Sequence, residues 1–341
     1  MRSARLRVNQ ASFYNGFDLS HASALRPLAS LARAFRVAGD TPFFLVGAYA
    51  RDLLLLHGRR VDTSTRPTSD VDFAVEVGSW QHYDSLRARL ISSGHFAAVP
   101  AVPPLMNKLQ YLPRAIGVDL LPFGGVERRD RTIAWPSGAV VMNAFGLREA
   151  QAWRLTVALP DAAELQLASL PSLMMLKLVT WLERRVEEPG KDAHDMRLIF
   201  GCYADRVRAM RRLRCPPGFG EHTAGAWLLG RDLARLLDAR GRERVATMLA
   251  VQAHGSELIH DLAAFETVGD RDARRCRVRQ LVSAFERGFS EPAERRRAAA
   301  RAAARGLRGE VKREVDMQTA EAREQRVAKV IAEAPRPAGD E

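Results

Sequence analysis

Apolar residues recur at helical spacing from His21 to Val37, with Leu25, Leu28, Leu31 and Phe35 on one face, and the spacing predicts a first helix over residues 21–38. The continuous apolar run Phe43-Phe44-Leu45-Val46 predicts a strand, Gly47 a tight turn, and Ala48 to His57 a helix that Gly58 ends. A polar loop over 59–69 follows. Asp70-Val71-Asp72-Phe73-Ala74-Val75 then alternates strictly, as a strand with one buried face does. Turning Val71, Phe73 and Val75 inward places Asp70 and Asp72 together on the opposite face. A helix around Gln81 to Ser92 and strands over Lys108 to Leu112 and Val118 to Phe123, joined by a turn near Pro113, complete a small mixed α/β domain ending near residue 150. Beyond it, Leu170 to Arg185, Asp192 to Arg211, Ala226 to Leu237, Glu243 to Ala253 and Ser256 to Phe265 show helical periodicity without alternation. The expected fold class is therefore α+β: a lead over 1–20, a mixed-sheet domain over 21–150, a helical domain over 151–290, and an Ala/Arg/Glu-rich tail over 291–341.

The composition suits a folded chain of about two domains, with 341 residues, 47% apolar and 27% charged. The charge changes the picture more: 52 Lys and Arg oppose 40 Asp and Glu, for a net +12 that attracts polyanions. Arg295 to Arg313 carries +7 of it, outside the patterned domains. Only five of the cations are lysines, at 108, 177, 191, 312 and 329, so an arginine cluster says little and a lone lysine says more. Three cysteines without a CxxC pair fit neither a disulfide framework nor a zinc site; they point to a reducing compartment and a cytoplasmic protein. The longest apolar run, Leu170 to Leu182, is broken by Lys177, so neither a membrane span nor a secretory signal is expected. No Gly-x-Ser-x-Gly, HExxH or Walker sequence is present.

The chemistry concentrates on the aspartates. Two carboxylates on one strand face, about 7 Å apart along the chain, can share divalent cations. An isolated Asp-x-Asp is often an ordinary solvated edge, but here a strand, Gly47 and a helix N-terminus precede it. Free N–H groups and the positive dipole end of such a helix suit a polyphosphate. Downstream, Asp119 is a lone acid in the apolar strand Val118-Asp119-Leu120-Leu121, a costly position unless it faces a cleft or a metal. Lys177 interrupts an apolar helix face and requires an anion, either a bound triphosphate or an internal ion-pair partner. In Lys191-Asp192-Ala193-His194-Asp195, helix capping by Asp192 and Asp195 is the plain reading. The isolated histidines His194, His222 and His254 are read as structural or surface residues. Arg206 to Arg214 and Arg271 to Arg279 form basic clusters that fit either an RNA backbone or a solvated helix face.

Phe44-Leu45-Val46-Gly47-Ala48, then Thr68-Ser69-Asp70-Val71-Asp72-Phe73, then Gly117-Val118-Asp119-Leu120-Leu121 together resemble the DNA polymerase β-like nucleotidyltransferase superfamily. Within it, the block from Pro171 to Arg184 with Lys177, followed by Gly190-Lys191-Asp192-Ala193-His194-Asp195, is most similar to the AbiEii/AbiGii toxin-type members. Val46 to Leu54 also looks like the head of CCA-adding and poly(A) polymerases. The resemblance implies a polymerase β-like first domain and Mg²⁺-dependent transfer of an NMP from an NTP to an acceptor hydroxyl. Asp70, Asp72 and Asp119 would be the catalytic residues and hold two Mg²⁺ ions. Gly47 and Ala48 would cradle phosphates through backbone N–H groups, Ala48 standing where the superfamily often has Ser or Gly. Arg51 would add a phosphate contact, and Lys177, Lys191 and Asp195 would line the nucleotide pocket. By the same resemblance the acceptor is a tRNA 3′ end or other RNA, and the chain is a toxin with a cognate antitoxin. A small-molecule nucleotidyltransferase of the antibiotic-modifying type and a catalytically silent nucleotide- or RNA-binding module are the alternatives.

Overall fold

The computed structural model describes residues 17–37, 39–57, 70–101, 106–136, 138, 141–188, 190–209, 219–255 and 257–291. Most of the expected lead, the loop over 59–69, Arg211, Arg212 and Arg214, and the tail from 292 lie outside the described residues. In chain order, the first elements are β1 (Phe17–Asp18), α1 (Arg26–Val37), β2 (Phe43–Val46), α2 (Gly47–His57), β3 (Asp70–Val77) and α3 (Trp80–Ser92). They are followed by β4 (Phe96–Ala98), β5 (Lys108–Tyr111), β6 (Ile116–Gly124), the small pair β7 (Thr132–Ala134) and β8 (Val141–Asn143), and α4 (Leu147–Ala152). Next come β9 (Leu155–Leu159), β10 (Ala163–Leu167), α5 (Leu170–Arg184), α6 (Lys191–Ala209), α7 (Glu221–Leu236), α8 (Ala239–Gly255) and α9 (Glu257–Ala263). A helix over 271–291, α10, closes the described chain.

The main sheet of the described residues has eight strands in the order β1-β9-β10-β2-β3-β6-β5-β4. β2 is antiparallel and β6 parallel to the central β3, and β5 runs antiparallel to β6. The strand, glycine turn and helix over 43–57 and the alternating strand from Asp70 stand where the apolar pattern places them. The sheet does not end near residue 150, however. β9 and β10 extend it to Leu167, because Leu155, Val157 and Leu159 alternate, as do Ala163, Leu165 and Leu167, around a turn whose Asp161 and Ala162 are left-handed. Residues 1–289 form one compact unit and 290–341 a second, so the expected break at 150 falls inside the first.

One face of the sheet is covered by aromatic packing. Phe73, fully buried on β3, lies 4.8 Å from the Phe35 ring of α1 and 5.2 Å from Phe43, centroid to centroid. On the opposite face the half toward Val77 is also apolar, with Ala74 buried and Phe44 set edge-on to Phe123 at 6.0 Å. Toward Asp70 this second face turns polar. Register places Val46, Asp72, Asp119 and Lys108 in one row across four neighbouring strands. The apolar side thus fixes which residues stand on the polar side, since a one-residue slip would bury the aspartates. Truncation of the central ring is expected to destabilise strongly: Phe73→Ala lowers unfolding free energy by about 3–5 kcal/mol, read as a lower urea midpoint at unchanged slope.

Candidate active site

Asp70 and Asp72 project from the start of β3, and the parallel register sets Asp72 beside Asp119 and Asp70 beside Gly117 of β6. Two glycines make room for the carboxylates. A Cβ on Gly47 would fall on the Asp72 carboxylate, within 2.8 Å of its Cγ, and a Cβ on Gly117 would come within 3.0 Å of the Asp70 Cγ. Gly47 also has φ of +70°, the left-handed region that side chains resist, and from there the chain enters α2 directly. The unpaired N–H groups at the start of α2 therefore open beside Asp72. Gly47 and Ala48 are half-buried at that point.

Burial, then repulsion from Asp119 and Asp70, pushes the Asp72 carboxyl up to about 6, against the pull of Lys177 and Lys108. The Lys108 ammonium donates to both oxygens of Asp119, at 2.9 and 3.0 Å. Among the described residues no three His, Cys, Asp or Glu side chains are drawn together as a metal cage. A cavity of about 370 Å³ lined by Arg36, Asp40, Thr41, Phe43, Gln151 and Arg154 sits at the other end of β2, away from the carboxylates, and holds none of the candidate residues.

Behind the aspartate row lies an ion-pair network that joins α2, α5 and α6. Asp195 of α6 accepts from the Arg51 guanidinium of α2 and pairs with the Lys177 ammonium of α5 at 2.5 Å. Lys177 also donates to Asp192 at 3.1 Å, and Arg184 donates to both oxygens of Asp192 at 2.8 and 2.9 Å. Arg51 further donates to Asp52 at 2.8 Å from Nε. Arg51, Lys177 and Arg184 thus stand against Asp52, Asp192 and Asp195, charge for charge. Burial disfavours the Lys177 charge most, yet Asp195 and Asp192 together hold its ammonium above the usual range. For Asp192 burial again opposes, and Arg184 with Lys177 keeps the carboxyl below the usual range.

Register sets Asp72 beside Asp119, with Asp70 on the same face of β3 and the Gly47 turn against the Asp72 carboxylate. The Arg51 guanidinium, 2% exposed, points inward to Asp52 and Asp195 rather than outward to a phosphate position. The anion that Lys177 requires is internal, supplied by Asp192 and Asp195. Asp195 is buried between Arg51 and Lys177. Lys191 is 40% exposed and pairs with Glu188 at 2.7 Å, outside this group. Asp192 does not cap α6. The helix begins at Lys191 after the left-handed Gly190, which carries Asp192 inside the first turn and aims it at α5. The His194 ring packs on Phe265 at 4.8 Å, centroid to centroid. Three participants escaped the sequence reading, Arg184, Asp52 and Lys108.

Gly47→Ala is expected to lower stability by about 1–2 kcal/mol from the left-handed backbone alone, and to shift Asp72, seen as a reduced melting temperature and a changed crystal position of the carboxylate. Lys177→Ala leaves Asp192 and Asp195 buried with less counter-charge and is expected to cost about 3–5 kcal/mol. The pH dependence has a defined sign. The ammonium's contribution is complete below its ordinary range and is lost as pH rises through its raised value; that of Asp192 is complete above the ordinary carboxylate range and is lost as pH falls through its lowered value. The gap between wild type and Lys177→Ala in urea melts should therefore be widest between those ranges and close at both extremes.

No family model matches the chain, and no curated protein matches it. Several solved structures are similar at low TM-score. The antibiotic-resistance factor ANT(2'')-Ia, determined in solution, is 16% identical at TM-score 0.33 over 55% of this chain and 90% of that one. An H. pylori protein assigned as a nucleotidyltransferase is 9% identical at TM-score 0.29, over 80% of this chain and 98% of that one. The CdnC:HORMA-deltaN complex of E. coli MS115-1 contains a chain 13% identical at TM-score 0.23, over 81% of this chain and 85% of that one.

Proposed function

We propose that the chain is a divalent-cation-dependent nucleotidyltransferase that moves a nucleoside monophosphate from a nucleoside triphosphate to an acceptor hydroxyl. One observation carries the reading: Asp72 and Asp119 stand in register on adjacent strands, with Asp70 on the same face, against the bare turn at Gly47 where α2 opens. The donor set fits a hard cation. It is all carboxylate oxygen, and burial together with repulsion from Asp119 and Asp70 disfavours the lone Asp72 charge. Asp70 and Asp72, with Asp119 beside them, would hold Mg²⁺. Bound there, the ion neutralises phosphate charge and lowers the pKa of the acceptor hydroxyl.

The chain's own groups do the rest. The N–H groups of Gly47 and Ala48 bind the outer phosphates at the positive end of α2. Asp119 takes the proton of the acceptor hydroxyl as its oxygen bonds to the α-phosphorus, and the α–β phosphoanhydride bond breaks with loss of pyrophosphate. Lys177, fixed by Asp192 and Asp195, adds positive field at Asp72. The net charge of +12 and the arginines at 271, 274, 275, 277 and 279 on α10 favour a polyanionic acceptor, and the motif resemblance points to an RNA 3′ end. A toxin role with a cognate antitoxin extends the same resemblance.

The test is label transfer from each α-³²P-labelled NTP, with Mg²⁺, to total tRNA and to small hydroxylated compounds in parallel. Labelled RNA is expected, with Asp70→Asn and Asp119→Asn reducing it about 10²–10³-fold. Label on a small compound alone would reassign the acceptor, and no transfer to any acceptor would overturn the reading. Induced expression is expected to arrest growth through Asp70, so that Asp70→Asn relieves the arrest.

A further inference from the structure

We propose that the Lys108 ammonium is the built-in counter-cation of Asp119, so that the carboxylate set takes up one divalent cation, at Asp70 and Asp72, rather than two. This inference rests on the reading of the aspartates as a cation site. Lys108 is not a chance neighbour. It occupies the position on β5 that is in register with Asp119, which is in register with Asp72. Its Nζ donates to both Asp119 oxygens, at 2.9 and 3.0 Å, so the edge of that carboxylate that would chelate a second ion already faces a cation. The pair sits inside the sheet's strand register, with Asp119 19% and Lys108 36% exposed.

The chemical consequence is specific. A second divalent ion at Asp119 would meet an ammonium within contact distance, and like charges so placed exclude one another. The monovalent charge of Lys108 then stands where a second ion would otherwise stand. Asp119 is left to accept the acceptor's proton while Lys108 fixes the orientation of its carboxylate. Lys108 is thus a positioning residue that acts through Asp119.

The experiment counts Mn²⁺ bound to the full chain by electron paramagnetic resonance, with the metal alone. Wild type is expected to bind one Mn²⁺ per chain, Lys108→Met two, and the charge-retaining Lys108→Arg one. Two ions on wild type, or one on Lys108→Met, would overturn the role of Lys108 and leave the cation site standing. No Mn²⁺ on either protein, with wild type folded by circular dichroism, would instead overturn the cation reading itself and the inference with it. A second measurement needs no variant. With only five lysines in the chain, ¹⁵N-lysine labelling resolves the Lys108 ammonium. Its hydrogen-bonded signal is expected to persist at saturating Mg²⁺, and its loss would overturn the proposal.

Discussion

Asp195 carries the interaction on which the rest of the site depends. One carboxylate oxygen is engaged by Arg51 of α2 and the other by Lys177 of α5, while Asp195 itself belongs to α6. Charges this deep are tolerated only in pairs, so removing any one member leaves another uncompensated. The three helices are therefore held in one arrangement by electrostatic necessity as well as by packing. Because α2 begins at the Gly47 turn, fixing α2 also fixes where its N–H groups open relative to Asp72.

The aspartate row poses the opposite problem. Where the helices pair their charges, the sheet face gathers like ones, and burial together with repulsion from Asp119 and Asp70 raises Asp72. Glycines at 47 and 117 bring backbone close to the carboxylates, and Lys108 neutralises one of them. A compensated ion-pair network thus lies near a cluster of like charges, and Lys177, a member of the first, also lowers the Asp72 carboxyl of the second.

What the sequence shows of this depends on range. The turn at Gly47, the strand from Asp70 and the helix carrying Lys177 are legible because periodicity is local. β9 and β10 had the same alternation and were hidden only by the shift to helical character that follows them. The inward direction of Arg51 was not legible, since a helix position gives a face and not the partner across it. Asp192 reads as a cap until α6 is seen to start one residue earlier, at Lys191. Lys108 is the instructive case. A hairpin centred between Pro113 and Arg114 pairs Lys108 with Asp119, so the contact was within reach of the turn position alone.

The contact between Arg51 and Asp195 spans 144 positions. During synthesis the sheet strands with their first aspartates leave the ribosome before α6 does, so until then the guanidinium of α2 has only the adjacent Asp52 as its partner within this network. Until Asp195 arrives, α2 is joined to the sheet through β2 but is not yet tied to α5 and α6. A chain interrupted before α6 thus carries Asp70, Asp72 and Asp119 and yet lacks the ion pairs that join the three helices.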